Sequence, residues 1–166
     1  MAHLRLARAT ASDLAYVMAT ERLDGYDAVV GRWDEQKHLS ALGDGHHAYF
    51  LGLLGDQPAG FAVLRDWASP ERVTLLKRIA VSRPGNGIGR ALLRAVIEKV
   101  LRDTQAHRLW LGVFPENLRA RRAYAAAGFV PEGVARGSAF FGGAHREEPI
   151  MSILRTEDAQ TSLQHR

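Results

Sequence analysis

Apolar and polar positions alternate in short runs along this chain, and glycine-rich or proline-rich breaks separate the runs. Residues 3–9 alternate regularly, which predicts an opening strand. Residues 13–22 place apolar side chains three and four positions apart, which predicts a helix, and a loop is expected over residues 23–32. A second, shorter helix is predicted over residues 35–42. The N-terminal quarter is therefore expected to be one strand followed by two helices.

The middle of the chain has the pattern of strands followed by a long helix. Residues 46–54 and 59–67 are rich in aromatic and β-branched side chains and flank a turn at residues 55–58, which predicts an antiparallel hairpin. Residues 72–81 predict a long strand, and residues 87–102 predict a helix with a broad apolar face. A face of this width is typical of a helix that packs on a sheet.

The last third of the chain predicts further sheet elements. Residues 108–113 are short and apolar, as in a buried strand, and residues 117–127 predict a helix. Strand, helix and strand in this order predict a parallel or splayed strand pair joined by a crossover helix. Two closing strands are expected at residues 129–141 and 146–154, on either side of Gly142-Gly143.

Length and composition change this picture little. The chain has 166 residues, of which 46% are hydrophobic and 24% charged, and this suits one domain with one sizeable core. We expect that domain over residues 1–155, followed by a polar tail over residues 156–166. The formal charge of +4 is spread along the chain and mixed with acids, so it favours a solvated basic surface or an anionic cofactor over nucleic acid.

Several classes of site are excluded or disfavoured by residue types. The sequence has no cysteine, which excludes disulfides, a thiolate nucleophile and zinc–thiolate sites. The adjacent His46 and His47 lie on a predicted strand and point to opposite faces, so no metal site is expected. Residues 1–8 lack the apolar core of a signal peptide, and no later run is long enough to cross a membrane. A cytoplasmic location without a membrane partner is the expectation.

The junction between the long strand and the long helix carries the first chemical signal. Three glycines fall within five residues in Gly85-Asn86-Gly87-Ile88-Gly89, and Arg90 follows. Glycines expose backbone amides, and the first turn of a helix has N–H groups without internal partners, so the junction can bind phosphate. A P-loop is excluded because no Lys-Ser/Thr pair follows, and the dinucleotide fingerprint lacks its last glycine. A turn that binds nothing remains the alternative.

A second motif lies about thirty residues further on and gives the first one its meaning. It reads Asn117-x-x-Ala120-x-x-x-Tyr124-x-x-x-Gly128-Phe129. In this order, the strand end Ile79-Ala80-Val81, the glycine junction and the second motif resemble the acetyl-coenzyme A dependent N-acetyltransferase superfamily known as GNAT. The residues from Gly142 to Leu154 are similar to the branch that holds spermidine and ribosomal-protein acetyltransferases.

The resemblance implies a fold and a coenzyme site. The expected fold is α/β, with a mixed, mostly antiparallel sheet of about seven strands, flanking helices and a splayed parallel pair that binds acetyl-coenzyme A. Backbone amides would hold the pyrophosphate, and they belong to Gly85, Asn86, Gly87, Ile88, Gly89 and Arg90. The strand end Ile79, Ala80 and Val81 would pair with the pantetheine arm. Asn117 would complete the slot, although it also suits a helix cap.

The resemblance also implies a catalytic role for Tyr124. As the general acid, its phenol would give a proton to the departing thiolate. From the residues alone, a core tyrosine on an amphipathic helix is the favoured interpretation of Tyr124. The junction departs from the family pattern in one place, because Pro84 stands where an arginine or glutamine is usual.

The general base is the open question in the sequence. Related enzymes often carry a glutamate on the strand before the junction, but residues 74–78 contain no carboxylate. The candidates are Glu21 and Glu71, with Glu147 and Glu148 near the last strand, each acting through water. An amine that loses its proton to solvent is the remaining possibility.

The function expected from the resemblance is acetyl transfer from acetyl-coenzyme A to a primary amine of a small molecule or peptide. The amine would attack directly in a ternary complex, because a covalent acetyl-cysteine needs a cysteine. Glu21, Asp24 and Asp27 would attract a cationic amine on the acceptor side. The alternative is a non-catalytic acyl-coenzyme A-binding regulatory module of the same fold, and a nucleic-acid-binding domain is a distant third. A homodimer is possible.

Overall fold

The computed structural model describes residues 3–26 and 30–158. Its strands are β1 (Leu4–Arg8), β2 (His47–Leu54), β3 (Gln57–Arg65), β4 (Val73–Val81), β5 (Arg108–Gly112), β6 (Val130–Phe141) and β7 (Ala144–Leu154). Its helices are α1 (Leu14–Glu21), α2 (Glu35–Gly43), α3 (Ile88–Asp103) and α4 (Leu118–Ala126). A 3-10 turn at Ala11–Asp13 precedes α1, and residues 155–158 are also helical.

All seven strands form one sheet in the order β1-β2-β3-β4-β5-β7-β6. Neighbouring strands are antiparallel except β4 and β5, which pair in parallel. Helix α3 connects these two strands, as the strand, helix, strand order predicted. The predicted fold class is therefore confirmed.

Two hairpins begin closer to their turns than the sequence pattern indicated. β3 starts at Gln57 instead of residue 59, because Gly55 adopts φ 60° and closes a turn tight enough for Gln57 to pair with Leu54. β7 starts at Ala144 instead of residue 146 for a similar reason. Gly142 and Gly143 both have positive φ and form a two-residue turn, which lets strand pairing begin at once.

Helices cover both faces of the sheet, so its central strands are buried on both sides. One face packs against α3, whose Leu92, Val96 and Val100 are fully buried. The other face packs against α1 and α2 through residues such as Leu14 and Val17. This explains why β2 and β3 read as nearly continuous apolar runs in the sequence.

β4 and β5 separate after a short parallel ladder. Their pairing runs only from Val73 opposite Arg108 to Leu75 opposite Trp110. Beyond this point β4 continues alongside β3, and β5 continues alongside β7. The two strands therefore open into a cleft that points toward the glycine junction.

β4 also contains an extra residue at the start of the cleft. Arg78 pairs with Val63, while Leu76 pairs with Leu64, so Lys77 has no partner on β3. A residue in such a β-bulge changes the direction of its own side chain and twists the strand locally. The bulge directs Lys77 into the cleft, where it is exposed.

A polar cluster connects β5, β6 and β7 at the far side of the sheet. Arg108 donates to both carboxylate oxygens of Glu132, and the hydroxyl of Ser152 also donates to Glu132. The Arg108 hydrogen bonds, followed by the Ser152 hydrogen bond, lower the pKa of Glu132 to about 2. The cluster therefore depends on an ionised carboxylate.

Candidate active site

One large groove follows the opening between β4 and β5. It has a volume of about 1690 Å³, which exceeds that of a typical small-molecule pocket. At one end it is lined by the glycine junction, and at the other by the segment before α2 and by the β6-β7 hairpin. Most of the predicted coenzyme residues line it, namely Ile79, Ala80, Val81, Gly85, Gly87, Gly89, Arg90, Asn117 and Tyr124. The structure thus brings both sequence motifs to one groove.

Two predicted coenzyme residues do not line the groove with their side chains. Asn86 is exposed at the tip of the junction, and Ile88, the first residue of α3, packs against the core. The expected role of both was through backbone amides, which does not require their side chains to face the groove. That role stays a prediction.

The N-terminus of α3 is open to an anion. Gly87 is its N-cap with φ 74°, and no side chain caps the helix. By contrast, Asp34 caps α2 and Asn117 caps α4 through their side chains. α3 also lacks an acidic residue in its first turn. The amides and the positive end of the sixteen-residue helix dipole are therefore unopposed.

The residues around this helix end fit a phosphate ligand. Gly85 adopts φ 103°, and no described atom lies within 4 Å of the place where a Cβ of Gly85 or Gly87 would stand. The backbone is consequently accessible to a bulky group. Arg90, Arg119 and Arg122 line the same end and supply positive charge. A pyrophosphate group matches these donors.

The end of β4 is held by two tyrosines that the sequence motifs did not reveal. Tyr26 donates from its hydroxyl to the carbonyl of Val81 at 2.7 Å, and Tyr16 donates to Ser82 Oγ at 3.0 Å. Burial raises the pKa of Tyr26, and the hydrogen bond to Val81 offsets part of this effect. Both tyrosines lie far from β4 in sequence, so no local pattern could have indicated the contact.

Asn117 acts as a helix cap in the structure. Its side-chain oxygen accepts a hydrogen bond from the Ala120 amide at 3.2 Å. It also lines the groove, so the cap and the predicted coenzyme contact are compatible. The cap positions the first turn of α4 at the wall of the cleft.

Tyr124 lies on α4 with its ring against Phe129, at 5.8 Å between ring centroids. It is half-buried, and its hydroxyl has no hydrogen-bond partner among residues 3–26 and 30–158. Burial raises the pKa of its phenol to about 12. Tyr124 is therefore both a core contact and a protonated donor in the groove.

Glu21 is locked into a buried network behind the groove. One carboxylate oxygen contacts His38 Nε2, and the other accepts from Arg78 at 3.4 Å and from the Trp33 amide at 3.2 Å. His38 Nδ1 in turn lies 2.7 Å from the Tyr49 hydroxyl. Burial lowers the pKa of Arg78, and Glu21 opposes that shift. Glu21 does not line the groove.

Glu71 lies at the opposite end of β4 from the glycine junction. It is exposed in the turn before the strand, where its amide donates to Ser69 Oγ at 3.2 Å. The nine-residue strand separates it from the junction by roughly 25 Å. Glu71 does not line the groove either.

Glu148 is the one glutamate of the sequence-based candidates that lines the cleft. It lies on β7 against the end of β5, and it accepts a hydrogen bond from Ser138 Oγ at 3.3 Å. A Cβ on Gly112 would stand 2.2 Å from Glu148 Cδ and 2.6 Å from Oε1. Glycine at position 112 thus makes room for this carboxylate beside the opening of the two strands.

The groove end that is distant from the glycine junction is basic rather than acidic. Of the expected acids, Glu21 is neutralised in the network, Asp24 is exposed outside the groove, and Asp27 lies outside the described residues. The structure therefore does not place Glu21 or Asp24 on the groove, and their expected attraction for a cationic amine stays a prediction. We call this region the basic end, and its lining includes Trp33, Lys37, Arg65, Lys77, Arg78 and Glu148.

Lys77 and Arg78 lie in the strand segment where related enzymes often carry a glutamate. Two adjacent basic residues inside an otherwise apolar strand are themselves a signal, because burial of a charge requires a partner. Arg78 turns to Glu21, and Trp33 stacks on its guanidinium with 4.8 Å from Cζ to the ring centroid. Lys77 turns to the groove.

Within the described residues, no cluster of three or more histidine, aspartate or glutamate side chains has metal-binding geometry. No helix in that part of the chain is both long enough and apolar enough to cross a bilayer.

A strand pair that splits beside an uncapped helix N-terminus, with a tyrosine in the cleft, is the arrangement that the two sequence motifs predicted for an acyl-coenzyme A dependent acyltransferase. The chain belongs to the acetyltransferase (GNAT) family, whose sequence profile matches residues 15–129. The resemblance drawn from the two sequence motifs is therefore confirmed at the level of the family.

Solved structures of two acetyltransferases share this fold, and one curated relative matches part of the chain. A spermidine N-acetyltransferase from Vibrio cholerae, solved with CoA and spermine, has a TM-score of 0.82 at 20% identity, over 96% of this chain and 99% of that one. AAC(6')-Ib, in complex with Parmomycin and AcetylCoA, has a TM-score of 0.80 at 22% identity, over 96% and 97%. The probable N-acetyltransferase YjcK of Bacillus subtilis (strain 168) is 33% identical over 76 residues, which span 46% of this chain and 42% of that relative.

Proposed function

We propose that the protein transfers the acetyl group of acetyl-coenzyme A to a primary amine of a small molecule or peptide, by direct attack within a ternary complex. One observation carries the proposal. A single groove runs from the uncapped end of α3, past the opening of β4 and β5, to the carboxylate of Glu148. The groove offers three regions in one continuous space. They are the uncapped N-terminus of α3 with the glycine junction, which we call the phosphate seat, a reaction centre at the opening of the strands, and an acceptor region.

The coenzyme would occupy the half of the groove beside the glycine junction. Amides of residues 85–90 would hold its pyrophosphate, with Arg90 and the arginines of α4 beside the phosphates. The backbone of Ile79, Ala80 and Val81 would pair with the amides of the pantetheine arm, since β4 lacks a second strand partner there. Asn117 would close the slot from the other side.

Tyr124 would serve the departing thiolate as the hydrogen donor. With a pKa of about 12, its phenol stays protonated throughout the pH range of an ordinary assay. An alkyl thiol has a pKa of about 8.5, so proton transfer that leaves Tyr124 as a phenolate would be unfavourable. The favourable role is a hydrogen bond that strengthens as charge develops on sulfur, with the proton following.

Glu148 is our candidate for the group that removes the amine proton. Its carboxylate lines the cleft at the end of β5, where the two strands have opened. Glu21 and Glu71, the candidates chosen from sequence, stay predictions, and neither lines the groove. In the proposed reaction the amine nitrogen attacks the acetyl carbonyl carbon and forms the amide bond, the C–S bond breaks, and Glu148 accepts the amine proton directly or through water. The departing sulfur is protonated through the Tyr124 hydroxyl, which takes a proton from solvent as it gives one up.

Direct attack is the simplest route for this chain. It has no cysteine that could carry the acetyl group, and the groove is large enough for both reactants at once. The expected homodimer and cytoplasmic location also remain proposals. Exposed apolar side chains on the edge strand β6, among them Val134 and Phe140, support self-association.

Thiol release separates this function from a regulatory coenzyme-binding module. The protein would be incubated with acetyl-coenzyme A and a panel of primary amines, and free thiol would be measured alongside coenzyme affinity by calorimetry. The proposal predicts release that depends on the amine. Tight coenzyme binding without release from any amine would favour the module.

A further inference from the structure

The charge of the groove is strongly one-sided over its full length. Among its described lining residues, eight are basic and two are acidic. The basic residues are Arg32, Lys37, Arg65, Lys77, Arg78, Arg90, Arg119 and Arg122, and the acidic ones are Glu116 and Glu148. Arg90, Arg119 and Arg122 lie beside the proposed phosphate seat. The other five lie at or near the basic end, where the phosphates would not reach.

Three of the cations at or near the basic end already have partners, and Arg32 is one of them. Arg78 is paired with Glu21 at 3.4 Å, and Arg65 is paired with Asp66 at 3.5 Å. Lys77 and Lys37 have no ion pair to a described residue, and Lys37 instead lies over the Trp33 ring, 4.6 Å from its centroid. The basic end therefore retains positive charge, on Lys77 and Lys37, that no described residue neutralises in an ion pair.

Lys77 carries part of this positive charge into the groove. It is the bulged residue of β4, exposed into the groove just where β4 and β5 separate. Desolvation lowers the pKa of its ammonium, Arg78 and Arg65 lower it further, and Glu148 raises it. A cationic amine such as a polyamine would add repulsion here, whereas an anion would relieve it.

The same region pairs a cation with an anion. Lys77 interacts electrostatically with Glu148, and Glu148 lies at the opening of the two strands against Gly112. A zwitterionic acceptor would match both charges, with its amine toward Glu148 and its anionic group toward Lys77. Trp110, Phe114 and Phe141 line the groove nearby and offer apolar walls for a side chain.

Resting on the proposed function, we propose that the acceptor is a small amine that also carries an anionic group, such as the carboxylate of an amino acid, and that Lys77 binds this group. The shared chemistry is a negative charge a few bonds from the amine. A phosphate-bearing amine would satisfy the same site, and the test distinguishes the two.

The test compares amines that carry an anionic group with matched amines that lack it. Thiol release would be measured with phenylalanine, phenylalaninamide, phenethylamine, phosphoethanolamine, ethanolamine and spermidine at saturating acetyl-coenzyme A. We expect kcat/KM for phenylalanine to exceed that for phenylalaninamide at least tenfold, or kcat/KM for phosphoethanolamine to exceed that for ethanolamine at least tenfold. The better of the two anions identifies the source of the charge. A preference for spermidine, or for the amines without an anionic group, would overturn the proposal.

Three variants assign the effect to Lys77. Lys77→Met should reduce the anion preference to within about threefold while coenzyme affinity is kept, and Lys77→Arg should restore most of it. Lys99→Met removes the same charge from α3 outside the groove, where Lys99 pairs with Asp103, and should leave the preference intact. A preference that survives in Lys77→Met would contradict the role of Lys77.

A binding measurement tests the charge preference of the acceptor site without requiring acetyl transfer. N-acetylphenylalanine and its amide would be titrated into the coenzyme A complex of the same full chain. If no amine releases thiol, the proposed function fails, and the inference about charge is then decided by this titration alone. Preferential binding of the carboxylate supports the inference, and equal binding of the two ligands overturns it.

Discussion

Gly112 has no side chain, and the carboxyl group of Glu148 occupies the space that its Cβ would need. The contact joins the end of β5 to β7 at the opening of the cleft. Because the conflicting atoms belong to a flexible side chain, an alanine at this position would move the carboxylate and leave the backbone in place. A substitution at position 112 can therefore change the position of the Glu148 carboxylate without changing the stability of the fold.

We predict that Gly112→Ala lowers kcat by between about ten- and a thousandfold, since a positioned general base contributes on the order of 10²–10⁴. Coenzyme affinity and the melting temperature should stay close to those of the parent. Glu148→Gln should give a similar loss, and the double variant should be no worse than either single one. Gly43→Ala is the matched control, because no described atom lies within 4 Å of its Cβ position. An unchanged kcat in Gly112→Ala would remove Glu148 from the reaction centre.

Glu21 stabilises the fold in our account, rather than moving the amine proton. Glu21→Gln leaves the buried guanidinium of Arg78 without its counter-charge, which costs on the order of 3 kcal/mol. Urea unfolding should show this loss, while kcat of the folded enzyme changes by less than about threefold. Glu71→Gln is the matched control on the surface and should change stability by less than about 0.5 kcal/mol. A large loss of kcat without a loss of stability in either variant would restore that glutamate as the base.

At the scale of elements, α3 differs from α2 and α4 because no side chain caps it. A free helix N-terminus has amides to offer an anion, and a negative charge placed near it competes with a bound phosphate. This makes the glycine junction testable without altering any residue that lines the groove.

We predict that Asn86→Asp weakens coenzyme A binding about five- to tenfold at low salt, and less at high salt because screening is stronger. Calorimetry at two ionic strengths measures the effect. Gln105→Glu makes the same amide-to-acid change beyond the C-terminus of α3, where Gln105 is exposed, and should leave the affinity unchanged. Equal affinity for Asn86→Asp and the parent at low salt would argue against the phosphate seat.

The cluster of Arg108, Glu132 and Ser152 gives the sheet a defined response to acid. The pKa of Glu132 is about 2 in the folded protein, against an ordinary value of 4.5. Its contribution to stability is therefore complete above about pH 4.5 and disappears as the pH falls toward 2. Glu132→Gln should be less stable than the parent at pH 6, and the difference should shrink between pH 4.5 and 2. Chemical unfolding at several pH values measures this, and a constant difference would contradict it.

At the scale of the whole molecule, the fold followed from local patterns. The alternating runs, the apolar face of α3 and the turn glycines each indicated their element, and the strand, helix, strand order indicated the parallel pair. The glycine junction and the motif from Asn117 to Phe129 indicated two walls of one groove. These signals are local in sequence, which is why the sequence alone could predict them.

The acceptor side could not be predicted in this way, because its contacts join distant parts of the chain. Glu21 is neutralised by Arg78, 57 positions away, and Tyr26 reaches Val81 across 55 positions. The bulge that directs Lys77 into the groove depends on the register between β3 and β4. The acids near the first helix, of which Asp27 lies outside the described residues, therefore did not indicate the basic lining at this end of the groove.

The central claim is that acetyl transfer takes place at the opening of β4 and β5, beside Tyr124. The most direct measurement follows free thiol and acetylated amine together, for the parent and for Tyr124→Phe, with coenzyme affinity measured in parallel. We predict one thiol for each acetylated amine, a kcat at least tenfold lower in Tyr124→Phe, and an unchanged coenzyme affinity. Equal kcat values for the two proteins would contradict the account.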